Sequence, residues 1–282
     1  MDAAVNLRMF NDPRDVKFKP NVQKQRHTSA TSCQPVDVQE LESQHLFKAQ
    51  DNEDRCLVQY FFAGMCHGQY LDIGALDGVQ LSISHAFYSS PLLNWKGVNV
   101  ELDPDNYDKL TRNRRGDMAN IHAAVCSDSQ TVHFALAKDK TSGGIWEFTS
   151  QSYRNHWWPN MTIFQAIPMK CTPIQRILDQ NVKCDNMYFD LMSIDLNGAE
   201  YSALLGLDFD KVGFGVIIVA RNDRDDINWR VDDLLRSKGY NKVTDNPCKN
   251  LNNRNVWYID REFEKVYHNL IIQQQNNLLR GN

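Results

Sequence analysis

The chain has 282 residues, 42% hydrophobic and 10% aromatic, which is enough for one large core or two small ones. Its formal net charge of −4 argues against the basic field of a nucleic-acid binder. No apolar run approaches the roughly 18–20 residues that span a bilayer. The opening MDAAVNLRMFNDPRDVKFKP lacks the apolar stretch of a secretory signal. A soluble chain follows, cytoplasmic by default, with the secretory-pathway lumen as the alternative where an anchor precedes it. Seven cysteines stand at 33, 56, 66, 126, 171, 184 and 248, none in a Cys-x-x-Cys pair. Their odd number and scatter are read as reduced, buried thiols. Asn160-Met161-Thr162 has the form of a glycosylation acceptor.

Residues 1–45 are polar and without period, and read as an extended or disordered N-terminal arm. From 46 to 282 the chain reads as a single domain of alternating helices and strands. NEDRCLVQYFFAG spaces its apolar residues as a helix does and stops near Gly64. QYLDI is a short buried strand, GVNVE another, and DPDNYDKLTRNRR opens as a helix with Asp-Pro. ANIHAAV and TVHFALA read as strands, and TPIQRILDQ as a helix capped by its threonine. YFDLMSID is a strand with the helix GAEYSALLGL behind it. FGVIIVA, the most apolar strand, is expected at the sheet's centre. INWRVDDLLRSKGY is an amphipathic helix ending at Gly239. YNKVT and NVWYID are expected as an antiparallel edge pair, and REFEKVYHNLIIQQQNNLLR as a closing helix. The class is α/β: a Rossmann-like, mostly parallel sheet with helices on both faces.

In such sheets ligands bind beyond the carboxyl ends of the strands. YLDIGALDG is a strand followed directly by its loop, in which Gly74 permits a turn and Gly78 a close approach. A nucleotide-phosphate loop would carry G-x-G-x-x-G spacing, or a lysine after its glycines. This loop carries Asp72 and Asp77 instead, and acids repel a pyrophosphate. Its ligand should be cationic or free of phosphate, and S-adenosylmethionine is both. Glu101, ending GVNVE, stands where a carboxylate can accept both hydroxyls of a ribose. The bland alternative is that Asp72 and Glu101 merely cap the helices that follow them.

YLDIGALDGVQLSISHAF, NWKGVNVELDPDNYDKLTRNR, IHAAVCSD, SGGIWEF and SIDLNGAEYSALLGLDFDKVGFGVIIV stand in the order of the FkbM-type methyltransferases, which the chain resembles over about residues 50–260. The resemblance implies a seven-stranded class I sheet, S-adenosylmethionine as donor, and methyl transfer to a hydroxyl of a carbohydrate-like or small acceptor. Carried over residue by residue, it places Asp72, Gly74 and Ala75 at the donor's amino-acid end, with Asp77 in the same loop. Glu101 would lie on the ribose, and Leu102 and Ala124 beside the adenine. Asp195 would point into the cleft, either as the base that takes the acceptor's proton or as a partner of the donor's ammonium. His156 and His133 are alternative bases.

Where the family pattern reads Asp-Val-Glu-Gly-Ala-Glu, this chain reads DLNGAE, so Asn197 replaces a glutamate and Glu200 is kept. At the next strand tip Ala220 and Arg221 stand in place of Val-Glu. With fewer carboxylates on this rim no metal is expected. Asn197, Glu200 and Arg221 are read as acceptor-binding, and an anionic acceptor would suit Arg221. A catalytically impaired binding or interaction module is the alternative. Residues 142–164, SGGIWEFTSQSYRNHWWPNMTIF, read as an aromatic lid with glycine hinges, in which Trp146 and Trp157 offer faces to a sugar.

Overall fold

The structure, a computed structural model, describes residues 28–182, 187–244 and 254–267. Its first strands are β1 (Thr31–Ser32), β2 (Met65–Cys66), β3 (Gln69–Ile73), β4 (Lys96–Glu101), β5 (Ala119–His122) and β6 (Ala124–Val125). There follow β7 (Thr131–Ala135), β8 (Gly144–Ile145), β9 (Ile167–Thr172), β10 (Met187–Ile194), β11 (Val212–Ala220), β12 (Tyr240–Lys242) and β13 (Asn255–Asp260). The α-helices are α1 (Val38–Ser43), α2 (Glu53–Cys56), α3 (His85–Ser89), α4 (Pro104–Asn113), α5 (Gln151–Trp157), α6 (Ile174–Asn181), α7 (Glu200–Leu205) and α8 (Asp225–Ser237).

Local chemistry sets these boundaries. Asp103 caps α4 by accepting from the backbone N–H groups of Asp105 at 2.8 Å and Asn106 at 3.1 Å, with Pro104 in the first turn. α8 turns Ile227, Val231 and Leu235 inward and its acids outward. After α2 the helix widens into a π turn over Leu57–Phe61, and the chain leaves it at Gly64, which holds φ +68°. α6 is entered differently from expectation. Thr172 is drawn into β9, where it pairs with Val125, so Pro173 opens the helix and makes no side-chain cap. The N–H of Gln175 donates instead to Gly206 O at 2.9 Å.

Seven strands form the main sheet in the order β12-β13-β11-β10-β3-β4-β5. β11, β10, β3, β4 and β5 run parallel, β13 is antiparallel to β11, and β12 is antiparallel to β13. The expected edge pair therefore forms. The centre is β10 rather than β11, because β13 crosses to β11's outer side; both strands are nearly all buried. One face packs Leu71, Val98, Phe189 and Phe214 among α6, α7 and α8. The other packs Tyr70, Trp95, Leu191 and Phe62. Chain order reverses between β3 and β10, so the cleft beyond their carboxyl ends is the switch point of the fold.

Three expectations are corrected. Residues 28–45 are not simply an extended lead-in: β1 pairs with β2, and α1 buries Leu41 completely. The cysteines are not all reduced, since Cys33 is bonded to Cys66 and Cys126 to Cys171, and Cys56 is also disulfide-bonded. Spacing along a chain is silent on which thiols meet in space. The lid is no simple flap either. ANIHAAV splits into β5 and β6, β6-β9-β7-β8 make a second sheet, and Tyr153 of α5 packs on the cluster of Ala135, Ala137 and Trp158. Gly144 lies within β8, and a Cβ on Gly143 would meet the Phe134 ring at 3.1 Å, so these glycines allow close packing rather than hinging. Residues 1–27, Cys184, Cys248 and the tail beyond 267 lie outside the described residues, and 263–267 begin the expected closing helix.

Candidate active site

β3 ends at Ile73, and the next three positions decide the site. Gly74 takes φ +85° and donates its N–H to Val100 O at 2.9 Å, while the Asp195 N–H donates to Ile73 O at 3.0 Å. A Cβ on Gly74 would lie 2.0 Å from Asp195 O, so only glycine lets the tips of β3 and β10 close together. Asp72 is buried, and its Oδ2 accepts from Ser84 Oγ at 2.6 Å. Behind Ser84 lies Arg114, fully buried, donating to Ser84 Oγ at 3.0 Å, Gly78 O at 2.7 Å and Tyr70 OH at 2.8 Å. Burial raises the Asp72 carboxyl above its usual range, opposed by the Ser84 hydrogen bond and the Arg114 charge.

Glu101 joins that loop to the next helix. Its Oε2 accepts from Leu76 N at 2.8 Å and its Oε1 from Asp103 N at 2.7 Å. Burial pushes its carboxyl up to about 7, against those backbone hydrogen bonds. Asp72, Gly74, Ala75, Glu101, Leu102 and Ala124 all line one cavity of about 380 Å³ beyond the strand tips. Asp77 does not. Its Oδ1 accepts from the N–H groups of Val79 and Gln80 at 2.9 and 2.7 Å, so it holds a turn on the outer side of the loop.

A second cavity of about 270 Å³ adjoins the first and shares with it Tyr153, Trp157, Asp195, Asn197 and Arg221. His156 and Glu200 line the second cavity alone. Asp195 is solvent-accessible because both cavities open on it. The surrounding protein, then the Glu200 charge, push its carboxyl up to about 6. Glu200 faces inward: it accepts from Leu196 N at 2.9 Å, Gly198 N at 3.1 Å and Asn222 Nδ2 at 3.2 Å, and so braces the loop that carries Asp195.

Asn197 has work that a glutamate could not do. Its Nδ2 donates to Gly143 O at 2.9 Å and Thr141 O at 3.3 Å, fastening the lid's first residues to the tip of β10. It also sits at φ +53°, a region asparagine tolerates better than most side chains. Ala220 lines the larger cavity beside it.

Trp146 lies in neither cavity. It stacks on Trp158 at 6.0 Å between centroids, with the Arg154 guanidinium over it at 4.9 Å. His133 is likewise outside, bonded to Glu147 at 2.6 Å on the second sheet. The sequence reading passed over Glu53, which lines the larger cavity with 1% exposure. Its Oε2 accepts from Asp51 N at 2.9 Å and its Oε1 from Asn255 Nδ2. The acid pair Glu53-Asp54 was its signal, hidden because acids are ordinary in a helix's first turn.

The methyltransferase FkbM domain profile matches residues 72–242. No curated protein matches the chain. Among solved structures, similar folds include a methyltransferase FkbM from Methylobacillus flagellatus KT, 13% identical, covering 79% of this chain and 57% of that chain with a TM-score of 0.42. A TehB-like SAM-dependent methyltransferase from Corynebacterium glutamicum is 9% identical, covering 74% and 86%, with a TM-score of 0.37. Aeropyrum pernix fibrillarin with natively bound S-adenosyl-L-methionine is 11% identical, covering 69% and 67%, with a TM-score of 0.35.

Two outcomes are expected. Asn197→Glu should destabilise the protein by about 1–3 kcal/mol, because a carboxylate would face two carbonyl oxygens in a left-handed backbone. Asn197→Gly, which keeps the backbone at ease, should cost less; thermal melting of both variants in the opposite order would remove the fastening role. Between pH 4.5 and about 7 the folded Glu101 carboxyl keeps a proton that the unfolded one has lost. Stability therefore falls as pH rises through that window, by about 3 kcal/mol from this group. Urea midpoints of the wild type and Glu101→Gln across pH 5–8 check it, and the variant's slope should be flatter.

Proposed function

The chain belongs to the FkbM methyltransferase domain family and is a SAM-dependent methyltransferase, and from that premise we propose that it methylates a hydroxyl of a carbohydrate-like acceptor held in the smaller cavity. The observation that carries this reading is the position of Asp195, which is common to both cavities. The larger cavity suits the donor chemically. Glu53, Asp72, Glu101, Asp103 and Asp195 line it, against Lys140, Arg221 and Arg254, and Lys140 is already paired with Asp103 and Asp105. Such walls favour a cation without phosphates. Leu102, Ala124 and Val125 give an apolar side for a flat base.

When bound, S-adenosylmethionine supplies a methyl group on a sulfonium, which leaves as a neutral thioether. Glu101 would accept from the ribose hydroxyls, and Asp72 would lie towards the amino-acid end. Asp195 would take the proton of the acceptor hydroxyl as its oxygen attacks, a contribution of about 10²–10⁴ in rate. His156, on the far wall of the smaller cavity, is the alternative base. Trp157, 44% exposed and shared by both cavities, would hold the acceptor's ring against the donor's methyl group. Alignment of oxygen, carbon and sulfur accounts for most of what remains.

For the compartment, disulfides at Cys33–Cys66 and Cys126–Cys171 support an oxidising one rather than the cytoplasm. No helix among the described residues is long and apolar enough to cross a membrane. Asn160 fits the same reading: it is exposed, and occupies the third position of a turn in which Met161 N–H donates to Trp158 O at 2.9 Å.

Labelled donor and a sugar panel test the reaction. Asp195→Asn should lower kcat about 10²–10⁴-fold with donor affinity nearly unchanged. Trp157→Ala should raise the acceptor's KM while sparing donor binding. Donor binding without turnover on any sugar would put the binding-module reading ahead. For the compartment, the chain sent through a eukaryotic secretory pathway should shift on a gel after endoglycosidase treatment. Asn160→Gln should abolish that shift, and a cytosolic product with Cys33, Cys66, Cys126 and Cys171 reduced and fully folded would refute the placement.

A further inference from the structure

We propose that the acceptor is an acidic sugar, a hydroxylated ring whose carboxylate is held by Arg221; this rests on the reading of the smaller cavity as the acceptor site. Seven titratable side chains line that cavity: Tyr153, His156, Asp195, Glu200, Arg221, Asp223 and Arg224. Glu200 is committed to Leu196 N, Gly198 N and Asn222 Nδ2. Asp223 accepts from Ser150 Oγ at 2.7 Å, and Arg224 is paired with Asp226 at 3.1 Å. Asp195 is the group that meets the reacting hydroxyl. Of the two guanidinium groups, only Arg221 has no carboxylate partner among the described residues, and His156 lies edge-on to Trp157.

Its backbone is nevertheless anchored. Arg221 follows the last residue of β11, and its backbone N–H donates to Arg254 O at 2.6 Å, which ties it to the start of β13. It lines both cavities, as do Trp157 and Tyr153. A sugar ring lying on Trp157 with one hydroxyl at Asp195 would therefore meet Arg221 at its edge. The planar fork of a guanidinium matches a carboxylate with two parallel hydrogen bonds, stronger and more directional than a contact to a neutral hydroxyl.

The test uses the full chain with labelled S-adenosylmethionine and three acceptors: a methyl hexopyranosiduronate, its neutral methyl ester, and a sulfated methyl hexopyranoside. The uronate should be used at least tenfold better in kcat/KM than the ester. Arg221→Ala should cut that preference at least tenfold, chiefly through KM, and Arg221→Lys should restore only part of it. Equal use of uronate and ester, or a preference unchanged in Arg221→Ala, overturns the proposal. Better use of the sulfated sugar overturns the carboxylate assignment. Should no sugar be methylated, calorimetry of the uronate and ester on the protein saturated with S-adenosylhomocysteine decides. Uronate binding weakened by Arg221→Ala would uphold the carboxylate subsite even as the reaction reading fails, and no binding difference would end both.

Discussion

Everything at the cleft depends on how near two strand tips come. With a side chain at residue 74, β3 could not approach Asp195 O, and Asp72, Glu101 and Asp195 would no longer face one space. The same residue's N–H reaches across to Val100 O on β4, so one glycine sets three neighbouring strands to a common end. Their last side chains become the floor of the site. The chemistry read from the family thus has a steric origin in a missing Cβ.

Gathering carboxylates under little water is costly, and the structure shows how the cost is met. Glu101 and Glu200 are surrounded by backbone N–H groups from the loops they support, so each carboxylate is also the fastening of a turn. Asp72 has a hydroxyl in front of it and the buried Arg114 behind. Arg114 in turn holds Gly78 O and lies 3.7 Å from Asp117, which accepts from Tyr70 OH and Asn99 Nδ2. This network gives rigidity to a loop without regular structure. Asp195 is the exception, exposed and open to both cavities.

Much of this was legible in the sequence because it is carried by period and local spacing. Alternation of strand and helix, the Asp-Pro start of α4, the edge pair and the acid–glycine loop are all local signals, and Asp72 and Glu101 do share a cavity. What escaped needs contacts between distant segments. Asp77 looked like Asp72 five positions before it, yet its carboxylate accepts from the N–H groups of its own turn. Trp146 and Trp157 looked equivalent, and only packing on Trp158 separates them. Glu53 enters the cleft from far upstream. Asn197 read as a lost charge because its two carbonyl partners, more than fifty residues away, are invisible in one dimension.

The bridge between Cys126 and Cys171 has a topological meaning as well. It spans 45 positions and encloses β7, β8, α5 and the whole aromatic segment in a covalent ring that opens only where it joins β6 and β9. A nick anywhere inside that ring sheds no fragment. Extra residues inserted there lengthen the ring without moving its two anchors. Segments of that ring, among them Gly143, Tyr153 and Trp157, line the larger cavity, while the strands β3, β4 and β10 that form its floor lie outside the ring.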